Sequence, residues 1–314
     1  MKAARFHQYG DPEVLRVEDV PVPTPGTGEV RVRVAATTFN GVDGNIRAGF
    51  MQGPMPLTLP HVPGVDVAGT VDEVGEGVDR LAVGDRVVGF LPFTSDGASA
   101  EHVIVPASIL ALAPTTIPLT DAAALPVVAL TALQALTEHA GLRAGQRILV
   151  NGASGAVGLY AVQLARAVGA HVVATAGPRT AERVRAAGAE QVVDHTTTDV
   201  VAAVTEPVDV LLNLAPITPE EFARLAGLVV DGGVIVNTTV WMPAPTDEAR
   251  GVSGIDLYVR SDADQLAELV AMVDRGELTV DVGERVSLDE LASVHARAAA
   301  GTLAGKVVVV VSQD

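Results

Sequence analysis

Cysteine is absent from the 314 residues. Its absence excludes disulfides, a thiolate nucleophile and any Cys-ligated zinc. Lysine is reduced to Lys2 and Lys306, so arginine carries almost all the positive charge. Bases are outnumbered by acids, 21 to 38, for a net charge of −17. A polyanionic surface repels nucleic acid and anionic lipid, so no nucleic-acid partner is expected beyond a local pocket for a single phosphate. Aromatics make up only 3% of the chain against 48% hydrophobic residues, which points to a large aliphatic core and against disorder. Long apolar runs are missing too. No membrane span is expected, the first ten residues do not read as a signal peptide, and a cytoplasmic location follows as the expectation.

What is present reads as two domains, which the length also favours. From Met1 to about Thr120 the pattern is short strands and turns. Val30–Val34 alternates Val and Arg at period two, Val65–Val74 reads as a strand, and Gly84-Asp85-Arg86 turns into Val87-Val88. Prolines at 54, 56, 60 and 63 exclude a helix there. From Thr120 onward strands alternate with helices, which implies a parallel sheet with right-handed crossovers. The expected elements are a helix over Ala122–His139 and strands at Gln146–Asn151, His171–Thr175, Val192–Asp194, Val208–Asn213 and Gly233–Asn237. Helices are expected over Ser154–Gly169 and Arg179–Ala187. After Gly251 come a strand over Val252–Val259, a helix over Asp262–Arg275, a short strand at Leu278–Val280, a helix over Leu288–Ala300 and a last strand at Lys306–Val311. The five consecutive valines of that last strand suggest burial on both faces.

The motif with chemical content is Val-Asn-Gly152-Ala-Ser-Gly155-Ala-Val-Gly158, which follows a predicted strand and opens a predicted helix. That context is what a dinucleotide fingerprint requires, although Ala153 stands where the usual first glycine of Gly-x-Gly-x-x-Gly falls. Gly155 would let backbone approach a pyrophosphate seated at the positive helix end near Ser154, Ala156 and Val157, and Gly158 would let the helix pack on the strand. The alternative is a tight βα turn with no ligand. An NAD site would place an acid about 20 residues on. Here the strand ends Ala174-Thr175-Ala176-Gly177, and Arg179 and Arg183 follow. A missing acid beside arginine suits a 2′-phosphate, hence NADPH. Alternatively both arginines pair with Glu182 or Asp194.

These features, with Thr38-Phe-Asn40-Gly-Val-Asp43-Gly-Asn-Ile-Arg47-Ala-Gly49, Pro63-Gly64-Val-Asp66-Val-Ala-Gly69, Leu130-Thr131-Ala132, Ala187-Gly-Ala-Glu-Gln-Val-Val-Asp194, His295 and Gly305-Lys306, resemble the zinc-independent quinone oxidoreductase branch of the medium-chain dehydrogenase/reductase superfamily. The resemblance runs end to end. It implies an α/β protein with a Rossmann doubly wound parallel-sheet cofactor domain at 123–257 and a β-rich GroES-like catalytic domain built from 1–122 and 258–314. Zinc-dependent members resemble Gly-His-Glu where this chain has Gly64-Val65-Asp66, and His61 is out of register, so no metal is expected.

The resemblance places Asn40 and Thr131 near the nicotinamide, as catalytic-site residues. Asn40 would orient the cofactor amide or a substrate carbonyl, or would simply satisfy loop backbone. Asp43 and Arg47 are expected to form a structural ion pair. Thr175 and Arg179 would reach the adenosine phosphate, His195 would stack or bond at the adenosine end, and Leu214 and Ala215 would flank the nicotinamide ribose. Phe50, Met51, Phe93, Trp241 and Met242 are candidates for the substrate pocket, with dimer or domain packing the other reading of Trp241. Gly44-Asn45 stands where relatives often carry Thr-Tyr. The implied chemistry is hydride transfer from NADPH to a quinone or an α,β-unsaturated carbonyl, whose delocalised charge allows water to supply the proton. An enoyl-thioester reductase and a non-catalytic NADPH-binding sensor are the alternatives. A homodimer joined through sheet edges, by way of Val252–Val259, is also implied.

Overall fold

The computed structural model describes residues 1–312 except 54 and 240. Pro54, one of the prolines expected to exclude a helix, therefore lies outside the described residues. In chain order the elements are β1 (Lys2–Arg5), β2 (Arg16–Asp19), β3 (Glu29–Thr38), α1 (Gly41–Ala48), β4 (Asp66–Val74), β5 (Arg86–Phe90), β6 (His102–Pro106), β7 (Leu110–Leu112), α2 (Leu119–Ala122) and α3 (Pro126–Gln134). Next come β8 (Arg147–Asn151), α4 (Ala156–Val168), β9 (His171–Ala176), α5 (Ala181–Ala187), β10 (Gln191–Asp194), α6 (Val200–Ala203), β11 (Val208–Asn213), α7 (Pro219–Ala226), β12 (Val229–Asn237) and β13 (Ser253–Asp256). The chain ends with α8 (Ala263–Asp274), β14 (Glu284–Ser287), α9 (Leu291–Ala299) and β15 (Val307–Val310). It divides into two compact units, 1–127 with 261–314, and 128–260, so the division falls inside α3.

The first unit is built on a seven-stranded sheet in the order β14-β15-β3-β4-β5-β7, with β6 also paired to β3. Its alternation is what the sequence demanded: Val30, Val32 and Val34 of β3 pack with Val67, Val71, Val87, Val105 and Leu110 in one core. Strand β15 lies antiparallel to β3, so the C-terminal segment completes a sheet begun by the N-terminal one. Its valines 307 to 309 are buried.

Several expectations in this unit are corrected. A helix, α1, forms in the stretch read as strands and turns. The Asp43 carboxylate accepts the N–H of Asn40 at 2.8 Å, and Gly49, with φ of 86°, closes the helix. Asp43 and Arg47 do not pair: Asp43 also accepts the Gly64 N–H, while Arg47 donates to His295 and to the Gly10 carbonyl. No strand forms at Leu278–Val280. The long helix expected over Ala122–His139 is interrupted after α2 and resumes at Pro126, whose fixed φ suits a first helical turn, and it ends in a π turn over Ala135–His139.

The second unit is a six-stranded parallel sheet in the order β10-β9-β8-β11-β12-β13. Counted from β8 this is the 3-2-1-4-5-6 order of a doubly wound dinucleotide-binding sheet. The order reverses between β8 and β11, and the crevice at the carboxyl ends of those two strands is where such sheets bind ligands. Leu149, Val173, Leu211 and Ile235 pack with Phe222 and Leu225 of α7 on one face.

Candidate functional site

The glycine loop lies at that reversal point. Gly152 has φ of 89°, and a Cβ there would lie 3.1 Å from the Ala215 nitrogen. The loop after β8 and the segment Leu214-Ala215 after β11 thus meet, as a shared cofactor site requires. Gly158 is also required: a Cβ there would lie 2.5 Å from the Ala153 Cα, so only glycine lets α4 pack this closely on the strand. A Cβ at Gly155, by contrast, meets nothing nearer than the Gly152 carbonyl at 3.4 Å. Gly155 caps α4 without a side-chain hydrogen bond, so the first-turn N–H groups at the positive helix end are available to an anion. Ser154, Gly155, Ala156, Val157 and Gly158 are therefore brought together in a cradle that fits a pyrophosphate.

Beneath the loop runs a chain of buried amides that sequence reading missed. The Gly152 N–H donates to Thr175 Oγ1 at 2.9 Å, and Thr175 Oγ1 donates to Asn151 Oδ1 at 2.8 Å. Asn151 Nδ2 donates to Asn213 Oδ1 at 2.9 Å, and Asn213 Nδ2 to Asn237 Oδ1 at 3.0 Å. Asn237 Nδ2 then donates to Asp256 Oδ1 at 2.8 Å and to the carbonyls of Thr239 and Met242. The last residues of four neighbouring strands, β8, β11, β12 and β13, stand in register, so four side chains of similar reach form one row along the carboxyl edge. Every link donates in the same sense, toward the Asp256 carboxylate. The row ties the start of the glycine loop to the loop that carries Trp241.

This places Thr175 differently from expectation. It is 1% exposed and its hydroxyl serves Gly152 and Asn151, not an outside phosphate. Strand β9 ends at Ala176 with no acid, and Arg179 is exposed in the turn that follows. Glu182 pairs with Arg185, and Asp194 accepts from Thr196, which together with Thr197 and the nearby His195 holds its carboxyl below the usual aspartate range. His195 is exposed just past β10.

In the first unit Asp66 and Lys306 form a fully buried ion pair at 3.2 Å. The same Asp66 carboxylate accepts from the Thr38 hydroxyl, from Asn40 Nδ2 at 2.9 Å and, through Oδ1, from Val127 N–H at 2.8 Å. Asn40 Oδ1 accepts from Lys306. Both ends of the Asn40 amide are thus held by charged groups. Beside this cluster, burial pushes the Asp43 carboxyl up to about 6, against the Asn40 N–H donated to it and with the Asp66 charge adding to the rise. Thr131 is buried on α3, in the second unit.

The expected pocket residues separate. Phe50, 65% exposed, lines a cavity with Phe39, Arg47 and His295. Met51 is buried in the core around Phe6 and Ile46, and Phe93 packs edge-on against Phe90 at 5.2 Å. Trp241, 66% exposed, and Met242 line a second cavity with Asn237, Thr239, Asp256 and Tyr258.

Fold and loop together define a two-domain oxidoreductase that uses a nicotinamide cofactor. Residues 26–115 match the alcohol dehydrogenase GroES-like domain, and residues 187–309 match the zinc-binding dehydrogenase family. The chloroplast envelope quinone oxidoreductase homolog of Arabidopsis thaliana is 34% identical, covering 98% of each chain. The Escherichia coli quinone oxidoreductase complexed with NADPH superposes with a TM-score of 0.86 at 25% identity, over 99% of this chain and 100% of that one. An NAD-dependent alcohol dehydrogenase reaches 0.90 at 31% identity, over 99% and 100%. The chain belongs to the quinone oxidoreductase branch of the medium-chain dehydrogenase/reductase superfamily. It is an NAD(P)-dependent oxidoreductase enzyme. Among the described residues no helix is long and apolar enough to cross a membrane.

Proposed function

We propose that the protein is an NADPH-dependent, metal-independent reductase that passes a hydride to a quinone or an α,β-unsaturated carbonyl. The observation that carries the cofactor choice is the end of β9: no acid is present to hold ribose hydroxyls, and the exposed Arg179 follows to meet a 2′-phosphate. The cofactor supplies the hydride. The chain supplies the cradle at Ser154–Gly158, the walls at Leu214 and Ala215, and an adenosine end near Arg179 and His195. Resemblance puts Asn40 and Thr131 at the nicotinamide, and the double anchoring of Asn40 makes it a fixed donor–acceptor.

Metal independence is supported by the state of Asp66. Its carboxylate is neutralised by Lys306 and its oxygens accept three further hydrogen bonds, so it has nothing left for a cation. The acceptor class is supported by the quinone oxidoreductase relatives. Strand β13 has one paired neighbour among the described residues, β12, which leaves an edge for the homodimer expected over Val252–Val259. A cytoplasmic location completes the reading. The test is NADPH consumption with a simple ortho-quinone and, in parallel, with a conjugated enone that is not a quinone. Turnover of either supports the reading and ranks the acceptors. Preference for isolated aldehydes or alcohols over both overturns it.

A further inference from the structure

The buried ion pair of Asp66 and Lys306 has an outlet to the surface. Thr38, Asp43, Asp66 and Lys306 are all buried, and of the side chains joined in this cluster only Asn40 is half-exposed. Strand register puts Lys306 beside it. Val308 of β15 lies opposite Thr38 of β3, and the Phe39 N–H donates to the Val307 carbonyl at 3.1 Å, so Lys306 falls opposite Asn40. Lys306 is also one of just two lysines in an arginine-rich chain. A compact ammonium reaches Asn40 Oδ1 and Asp66 Oδ2 from one point, which a planar guanidinium fork does less well.

Stability does not explain a pair of this kind, since well-packed apolar residues of similar volume do as well or better. What the pair does fix is the Asn40 amide. An ammonium cannot accept a hydrogen bond and an ionised carboxylate cannot donate one. Lys306 therefore faces Oδ1 and Asp66 faces Nδ2, and a flipped amide would set donor against donor and acceptor against acceptor. Asp66 Oδ2 and the Thr38 hydroxyl, bonded to each other, lie on one side of Nδ2 at 2.9 and 3.3 Å, so a single N–H serves both. The second Nδ2–H is left over, on the one side chain of the cluster that reaches the surface.

We propose that Asp66 and Lys306 are positioning residues for hydride transfer, holding Asn40 so that its second Nδ2–H meets the carbonyl oxygen of the acceptor. This rests on the reading that sets Asn40 at the nicotinamide. As the hydride adds to the acceptor carbon, the displaced π-electron pair settles on that oxygen, and the fixed N–H stabilises the charge until water protonates it. Asp66 and Lys306 act only through Asn40, and neither gains or loses a proton.

The test is a mutant cycle in the full chain, read as NADPH oxidation with an ortho-quinone. Asp66→Asn/Lys306→Met strands no charge and leaves Asn40 beside an amide that can both donate and accept, so its orientation is released. Circular dichroism checks that this variant folds. It should lower kcat about ten- to a hundredfold and leave KM for NADPH within about twofold, because the cradle at Ser154–Gly158 is untouched. Asn40→Ala should cost about as much by itself, yet add less than about twofold on top of the double variant. Losses that multiply, or a loss confined to KM, overturn the proposal while the reductase reading stands. A wild-type chain that oxidises NADPH with neither quinone nor enone overturns both. The amide itself gives a second readout, in wild type with ¹⁵N-labelled asparagine. One Asn40 Nδ2 proton should lie well downfield and exchange slowly with water. Two ordinary, fast-exchanging protons overturn the proposal even if the double variant does not fold.

Discussion

The row of amides along the carboxyl edge of the parallel sheet makes a quantitative prediction at Asn213. Leucine is close to asparagine in size, so Asn213→Leu removes two hydrogen bonds with little change in packing. The two lost partners are not equal. Asn237 Oδ1 still accepts from the Thr239 hydroxyl at 2.7 Å and from its N–H, whereas Asn151 Nδ2 loses the acceptor it had at 2.9 Å. Two net hydrogen bonds plus one stranded donor cost about 2 to 6 kcal/mol, less than the sum that two stranded groups would give. At this size that lowers Tm by roughly 3 to 9 °C. Asn213→Asp tests the direction of the row. Its second oxygen would face Asn237 Oδ1, and Asn237 cannot turn over because its Nδ2 already serves three acceptors. The aspartate variant should therefore be less stable than the leucine variant at neutral pH, and should recover as pH falls and the new carboxyl is protonated. Differential scanning calorimetry of the three proteins decides it. Equal stability of Asn213→Asp and wild type would refute the assigned orientation.

Other perturbations have equally definite outcomes. Gly158→Ala drives a methyl to 2.5 Å from the Ala153 Cα, so it should cost about 1 to 3 kcal/mol of stability and weaken cofactor binding in fluorescence titration. Arg179→Ala should raise KM for NADPH about ten- to a hundredfold while leaving KM for NADH within twofold, because a charge-assisted phosphate contact is worth about 1.5 to 3 kcal/mol. Lys306→Met strands the buried Asp66 charge and should cost about 3 to 5 kcal/mol, with partial rescue in Asp66→Asn/Lys306→Met, measured by urea unfolding. Asp43 titrates near 6 in the folded chain and near 3.8 when unfolded, so above pH 6 its ionised form disfavours the folded state. As pH falls from 6 to 4 the folded state takes up a proton that the unfolded state does not. Wild type should thus gain stability relative to Asp43→Asn across that window, and a constant difference would contradict the assignment.

Much of this architecture was legible because its signals are local. Val208–Asn213 could be read as a strand because its apolar run is bounded by polar turns, and the Gly152–Gly158 loop because glycines at fixed spacing follow one. Helix α1 was not legible from periodicity: its eight residues include two glycines and few apolar positions. Its signals were the aspartate three residues after Asn40 and Gly49 at the end, both end effects. The amide row was hidden for a different reason. Asn151, Asn213, Asn237 and Asp256 lie far apart in sequence, and only the register of the parallel strands sets them side by side. Thr175 was placed at the right strand end but given to the wrong partner, since a side chain one residue from a ligand loop can face inward. Spacing alone could not show that Arg47 turns to His295 and not to Asp43, because the alternative partner arrives 248 residues later.

The central claim is NADPH-dependent, metal-free hydride transfer to a quinone, and steady-state oxidation at 340 nm by chelator-dialysed protein tests it most directly. The account predicts turnover of NADPH with an ortho-quinone that is unchanged by chelator, with kcat/KM at least about tenfold above that for NADH. Preference for NADH, or activity lost on chelation and restored by zinc, would contradict it.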